Sequence, residues 1–220
     1  MSENISLQPK PTYFEIFTKV LNELNWREVS DFDEIIKSEH KRILNLINTT
    51  NAEVLSSYMW DFMIEKKDVT LEENEEVIDE NFGGRVISIW EGRKKYRYIR
   101  PAVFSSETIN RDNVYSFLSN KLMAAKSDKK RNLSIIYTSN MHALDSLGNK
   151  KAKMEEKEDT SIIPMPHIEP VLVYGTLIKV KANPSFAKFG YWRTLYLEAL
   201  ANLRTASSMS CEDSPRITLG

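Results

Sequence analysis

The feature that most constrains the fold is a run of about thirty residues in which apolar side chains recur at helical spacing. No glycine or proline interrupts the chain from Phe32 to Phe62. The apolar and small positions of this run are Phe32, Ile35, Ile36, Ile43, Leu46, Ile47, Thr50, Val54, Tyr58 and Phe62. Steps of three and four residues place them on one helix face. The run therefore predicts one long helix, about 45 Å long at 1.5 Å per residue.

Three further segments have helical patterns. Thr12 is followed three residues later by Glu15, the spacing of a capping box at a helix start. Another helix is expected over 167–182. The last helix is expected to start at Asn183 with Pro184 in its first position, where a missing N–H is harmless. The apolar stripe of the first helix is Phe14, Phe17, Leu21 and Leu24, and that of the last runs through Phe186, Phe189, Trp192, Tyr196, Leu200 and Leu203.

The middle of the chain has a period closer to two. Apolar positions from Val86 to Trp90 precede a turn at Glu91-Gly92, and residues 95–99 then alternate, so this region predicts a β-hairpin that Pro101 ends. A short helix is expected over 113–122 and a strand over 133–138. The polar stretches 124–132 and 150–159 read as solvated loops.

Together these patterns predict an α+β fold that is mainly α. The expected architecture is an antiparallel helical bundle with a long central helix, a β-hairpin or small antiparallel sheet as an insert, and an extended C-terminal tail. We expect N-terminal bundle helices in residues 1–65, a β-rich insert in 66–160, C-terminal helices in 161–206 and the tail in 207–220.

Composition excludes several classes of protein. The chain has 30 basic and 31 acidic residues and a formal charge of −1, so generic binding of the DNA backbone is not expected. The single cysteine excludes an internal disulfide and a thiolate-based zinc site. Residues 1–8 lack the pattern of a signal peptide, and no apolar run is long enough for a membrane span, so we expect folding in the cytoplasm.

No catalytic constellation is evident. His40, His142 and His167 lack the HExxH spacing that would place two metal ligands on one helix face. Gly83-Gly84 precedes neither a helix nor a Lys-Ser/Thr pair, so it predicts a turn and not a phosphate cradle. Cys211 has no neighbouring cation that would lower its pKa. We therefore expect neither enzymatic activity nor a cofactor or metal.

One cluster combines cations with aromatic rings. Arg93, Lys95 and Arg97 alternate around Tyr96, and Lys94 and Tyr98 complete the segment. Rings beside cations can hold single-stranded nucleic acid. The favoured interpretation is a hairpin with tyrosines towards the core and cations towards water, where the cations could also contact a neighbouring subunit.

The order of segments resembles a known family, the head-to-tail adaptor proteins of short-tailed bacteriophages, also called tail tubular A or portal-ring accessory proteins. The resemblance rests on a short helix, a long helix that ends in Trp60-Asp61-Phe62, a β insert, an Asp159-Thr160-x-x-x-Pro164 step and a paired helical close. Further matching residues are Phe32, Leu46, Ile47, Ile163, the stretch 171–175, Tyr191, Trp192, Tyr196, Leu203 and Arg204.

The resemblance implies a structural virion protein. Copies of the chain, twelve in the family, would form a ring between the portal protein and the tail nozzle protein, assembled in the host cytoplasm, through which DNA passes without sequence-specific binding. No membrane is involved. The family's C-terminal extension inserts between portal subunits, which implies portal contacts for Arg204, Met209, Arg216, Ile217 and Leu219.

Two other functions remain as alternatives to the virion connector. The first is a nucleic-acid-binding regulator that uses residues 93–98, with salt-sensitive retention of single strands as its mark. The second is an enzyme of unrecognised type, which would need a deep polar pocket with perturbed titratable groups.

Overall fold

The computed structural model describes residues 9–80, 82–105 and 113–212, without the side chains of 208–212. The helices are α1 (Tyr13–Glu23), α2 (Ser38–Ser56), α3 (Pro101–Phe104), α4 (Ile168–Val180) and α5 (Phe189–Glu212). The strands are β1 (Ile64–Leu71), β2 (Val77–Asp79), β3 (Gly84–Glu91), β4 (Lys94–Lys95), β5 (Arg97–Tyr98), β6 (Val114–Leu118), β7 (Lys121–Ala124), β8 (Arg131–Ser139), β9 (Ala143–Leu144), β10 (Lys150–Lys151) and β11 (Thr160–Ser161).

The chain forms two compact units. The helical unit comprises the described residues of 1–62 and 141–220, and the β unit comprises those of 63–140. Helices make up 38% and strands 25% of the described residues, and these strands form three sheets. The expectation of a mainly helical bundle with one small hairpin is therefore wrong: the fold is mixed α/β.

Helix α4 is the centre of the helical unit. It contacts α1, α2 and α5, and its sequence is apolar on nearly all sides. A helix without a polar face is stable only when neighbours surround it. Its fully buried residues include Ile168, Val171, Leu172 and Leu177. The central helix is therefore this short one and not the long helix that the sequence predicts.

Helix α2 covers only 19 residues of the predicted long run. Before it, the Asp31 carboxylate accepts a 2.6 Å hydrogen bond from the Phe32 amide and starts a separate 3₁₀ turn over Phe32–Glu34. At its end, the Val54 carbonyl accepts hydrogen bonds from the Ser57 amide at 3.2 Å and the Trp60 indole at 2.9 Å. These local partners replace the next helical turns.

The start of α1 is as predicted. The Thr12 amide donates to Glu15 Oε2 at 2.8 Å, and the Glu15 amide donates to Thr12 Oγ1 at 3.2 Å, which completes the capping box. The last helix differs from its prediction at both ends. It begins at Phe189 and not after Asn183, and it continues to Glu212.

The continuation of α5 corrects the expected extended tail. Residues 207–212 are helical, and the Ser207 hydroxyl, which is buried, accepts a 3.2 Å hydrogen bond from the Asp61 amide. The rest of the predicted tail, 213–220, lies outside the described residues.

The β unit is a small sandwich of two four-stranded sheets. One has the strand order β1-β8-β3-β4 and the other β2-β7-β6-β5. All pairings are antiparallel except that of β5 with β6. Both sheets contribute side chains to one core of Leu71, Ile78, Ile89, Tyr96, Tyr115, Leu122, Ala124, Leu133 and Ile135.

The predicted hairpin is only partly present. Strand β4 pairs with β3 for two residues, and the chain then changes sheet at Tyr96, whose ring is buried in the core. Arg97 and Tyr98 pair instead in parallel with Val114 and Tyr115. A side chain anchored between two sheets forces this crossing.

The helix expected over 113–122 is wrong, because this segment is the β6–β7 hairpin. Ser119 and Asn120 both have positive φ, 51° and 64°, which is the geometry of a two-residue hairpin turn. The strand expected over 133–138 is confirmed as β8, which pairs with both β1 and β3.

Gly175 determines how closely three helices approach. A Cβ atom built on this α4 residue would lie 2.6 Å from Thr50 Cγ2 of α2 and 2.8 Å from Tyr196 Cε2 of α5. Real Cβ atoms essentially never come this close to other atoms. No larger residue fits here unless the side chains of Thr50 and Tyr196 move.

We expect Gly175→Ala to lower the free energy of unfolding by about 1–3 kcal/mol through overpacking. Denaturant titration would measure it. The matched control is Gly190→Ala in α5, where an added Cβ meets nothing within 4 Å; there the better helix former should stabilise by up to about 1 kcal/mol. Equal effects of the two substitutions would contradict this packing analysis.

Candidate functional site

Asp159, in the Asp-Thr step of the sequence, has a buried carboxylate that accepts three hydrogen bonds. Its Oδ2 accepts hydrogen bonds from the Glu155 amide at 2.6 Å, the Glu156 amide at 2.9 Å and Lys151 Nζ at 2.7 Å. Burial by itself raises the pKa of Asp159, but these amides and the Lys151 ammonium outweigh it, so the pKa is lowered overall.

The turn around Asp159 also caps helix α1. The Asp159 carbonyl accepts a 2.7 Å hydrogen bond from the Tyr13 amide, and the Lys157 carbonyl accepts a 3.3 Å bond from the Phe14 amide. The first amides of a helix have no partner within the helix. Asp159 therefore fixes a loop whose carbonyls provide those partners.

Two asparagines of α2 bind the same part of the chain. Asn48 acts like a peptide group towards Met154: its Nδ2 donates to the Met154 carbonyl at 2.8 Å, and its Oδ1 accepts from the Met154 amide at 3.0 Å. Asn51 Nδ2 donates to the His142 carbonyl at 2.9 Å, and its Oδ1 accepts from Ser161 Oγ at 2.7 Å. These contacts hold the segment 142–161 on α2.

This polar network has the properties of a structural site. Asp159 is buried, its Oδ2 already accepts three hydrogen bonds, and Asn51 and Ser161 are buried with it. The expectation of a solvated loop over 150–159 is wrong at Met154 and Asp159, which are both buried. In the sequence, the Asp159-Thr160 step stands out only through the family resemblance. The signal for its role was a helix start at Thr12 whose first amides needed acceptors.

The second candidate is the outer surface of helix α5. Trp192, Ala199, Leu203 and Ser207 form its buried stripe. The line opposite consists of Gly190, Thr194, Leu197, Ala201 and Thr205, and the exposed acid Glu198 lies beside it. Charged and polar residues are normal on a solvent-facing helix surface, so large apolar side chains there stand out.

Large apolar side chains flank and interrupt this line. Tyr191 is 60% exposed and Leu197 is 53% exposed. Helix α5 packs on α4, and its Trp192 and Ser207 meet Glu23 and Asp61, whereas Tyr191 and Leu197 face away from these partners. We refer to Gly190, Tyr191, Thr194, Leu197, Ala201 and Thr205 as the outer face of α5.

Other exposed apolar side chains lie elsewhere on the helical unit. Tyr58 and Met59 follow α2, next to Asp61, whose amide meets Ser207 of α5. Ile36 is 80% exposed and lies at a cleft of about 440 Å³ that Val29 and His40 also line. The unit thus has two further apolar surfaces on elements other than α5.

The residues predicted to contact a portal are only partly described. Arg204 lies exposed on α5, and Met209 lies in the last turns of the same helix. Arg216, Ile217 and Leu219 lie outside the described residues.

The structure separates the basic side chains predicted to meet nucleic acid or a subunit. Arg93 lies in the turn between β3 and β4, Lys95 lies with its ammonium 5.6 Å from the Trp90 ring centre, and Arg97 is exposed on β5. Tyr96 is buried and cannot stack on a base, whereas Tyr98 is half exposed and contacts the Tyr115 ring.

The histidines occupy separate environments. His40 packs between the rings of Phe17 and Trp26, and burial lowers its pKa. Burial also lowers the pKa of His142 and of His167, which precedes α4. Across residues 9–80, 82–105 and 113–212, no group of three or more histidine, cysteine or acidic residues could hold a metal ion.

We expect Asp159→Ala to lower the free energy of unfolding by about 3 kcal/mol, because it leaves two amides and the Lys151 ammonium without their acceptor. Asp159→Asn tests the charge itself. Because the folded pKa lies below the ordinary 3.8, the unfolded wild-type chain binds the proton first and stability falls as the pH drops through this range.

The Asn variant lacks that contribution, so its stability should depend less on pH between about 5 and 3. Chemical denaturation at several pH values measures both effects. Parallel pH profiles for wild type and Asp159→Asn would contradict the assigned role.

In the described part of the chain, none of the helices is both long and apolar enough to cross a bilayer. No protein-family model matches the sequence, and no match was found among the curated proteins.

Proposed function

We propose that this chain is the subunit of a head-to-tail adaptor ring, which joins the portal to the tail nozzle of a short-tailed bacteriophage and surrounds part of the DNA ejection channel. The observation that carries the proposal is the exposure of two large apolar side chains, Tyr191 and Leu197, on the outer face of α5. This face is the kind of surface through which a protein meets copies of itself, because bulky apolar side chains there gain free energy when a neighbour covers them.

The length of this face suits a ring contact. Helix α5 has 24 residues and is therefore about 36 Å long. Ring closure requires a heterologous interface, in which one surface of each subunit meets a different surface of the next. The exposed side chains of Ile36, Tyr58 and Met59 lie on other elements and are candidates for that second surface.

The remaining properties support a conduit through which DNA passes. A formal charge of −1 avoids a strongly basic lumen, which would retain DNA by releasing its counterions. The helical unit provides the contacts between copies, and the β unit is a separate compact body available to the nozzle protein. The expected location is the head-tail junction of the virion.

We expect Leu197→Glu, alone or with Tyr191→Glu, to prevent ring formation and leave the monomer folded, because the acid would be buried against a neighbouring copy. Sedimentation velocity and electron microscopy of the protein mixed with the portal ring of its phage measure this. The matched control is Leu147→Glu, since Leu147 is 85% exposed on a loop away from α5. Normal rings from the Leu197→Glu variant would refute the proposed interface.

A truncation separates portal binding from folding. Removal of 207–220 would delete Ser207, whose hydroxyl accepts a hydrogen bond from the Asp61 amide. The better truncated variant therefore ends at Glu212. We expect removal of 213–220 to leave thermal unfolding unchanged and to abolish co-sedimentation with portal rings, because Arg216, Ile217 and Leu219 are lost. Retained co-sedimentation would show that these residues do not bind the portal.

A further inference from the structure

One end of the β unit contains a polar cleft of about 390 Å³ that no catalytic or assembly role above uses. Four cationic side chains line it: Lys94, Lys126, Lys129 and Arg131. Its two carboxylates are those of Glu91 and Asp128, and Asn113 and Ser127 contribute neutral polar groups. Cations therefore exceed acids two to one around a space large enough for a small anion.

Arg131 is the unusual member of the set, because its side chain is buried. The residue is 5% exposed at the start of β8. Nη2 donates to the Glu75 carbonyl at 2.9 Å, and Nη1 donates to the Tyr96 hydroxyl at 3.4 Å. Nε is buried and has no hydrogen-bond partner.

No carboxylate in the described residues neutralises this guanidinium through a direct ion pair. Glu91, the nearest acid in the bonding network, accepts its 3.0 Å hydrogen bond from the Tyr96 hydroxyl instead. Burying a charge without a counter-charge costs several kcal/mol. The free protein thus has an electrostatic cost that an anion in the cleft would reduce.

The lysines around the cleft are available for such an anion. Lys94, Lys126 and Lys129 are exposed, and in the described part of the chain none of them forms an ion pair. Lys130, between two members of the set, differs: its ammonium is 2.6 Å from Glu72 Oε1. Lys130 is thus already paired with an acid, whereas Lys129 beside it is not.

We propose that this cleft is an anion site that binds a phosphate group. Arg131 provides a fixed positive charge in its wall, and the three lysines donate hydrogen bonds to the phosphate oxygens. A phosphate is favoured because its several oxygens can accept from several cations at once, which a single carboxylate cannot do equally well. The site does not depend on the ring proposed above.

The phosphate can come from a free ion or from a nucleic-acid backbone, and the experiment distinguishes them. Titration of the full chain with inorganic phosphate, followed by thermal unfolding and by phosphorus NMR, tests the free ion. Titration with a short single-stranded DNA, followed by fluorescence anisotropy, tests the backbone. Sodium chloride and sodium acetate at equal ionic strength control for screening.

We expect phosphate or the oligonucleotide to raise the unfolding temperature more than chloride or acetate does. Lys94→Ala with Lys129→Ala should weaken binding about tenfold or more, because two charge-assisted hydrogen bonds to the phosphate are lost. Arg131→Met should abolish it; because that variant changes a buried residue, circular dichroism must first establish that it folds. The matched control is Lys130→Ala, which should bind as the wild type does.

Three results would overturn the proposal. The first is equal stabilisation by phosphate, acetate and chloride, with no binding of the oligonucleotide. The second is unchanged affinity in the Lys94→Ala, Lys129→Ala variant. The third is an equal loss of affinity in Lys130→Ala, which would indicate only a general effect of surface charge. None of these outcomes bears on ring formation, which Leu197→Glu tests separately.

Discussion

The structure depends on how the chain is fixed where it returns to the helical unit after the β unit. The segment 142–161 forms only the small sheet β10-β9-β11, so backbone groups outside that sheet need side-chain partners. Asn48 and Asn51 of α2 and the carboxylate of Asp159 provide several of these partners. This buried polar network places α1 against α2 and leads the chain into α4, around which the other helices pack.

The sequence predicted helices well where local chemistry agreed with the apolar pattern. The capping box at Thr12 placed the start of α1 correctly, and the apolar segment 167–182 contains α4. Periodicity failed where a local hydrogen bond or turn outside the apolar pattern decided the outcome. The Trp60 indole ends the helical pattern of α2 from six residues beyond Val54, and the turn at Ser119 and Asn120 makes strands of a segment with helical spacing.

The candidate surfaces were harder to predict than the fold. The outer face of α5 is defined by exposed apolar side chains opposite a buried stripe, and this is visible only when the buried side is known. The phosphate cleft combines residues from 91 to 131 that come together because β4 and β8 lie in one sheet with β3 between them. The basic segment 93–97 contributes Lys94 to this cleft. Arg131, the buried cation of the cleft, lies outside that segment.

The pairing of Ile64 with Thr138 brings the two ends of the β unit side by side. A domain inserted through adjacent ends can be lengthened, replaced or deleted with little change in the backbone of its host. The helical unit could therefore keep the contacts of an assembly constant while different β units are exchanged by recombination. Evolution could in this way alter what is attached below such an assembly without redesigning the assembly itself.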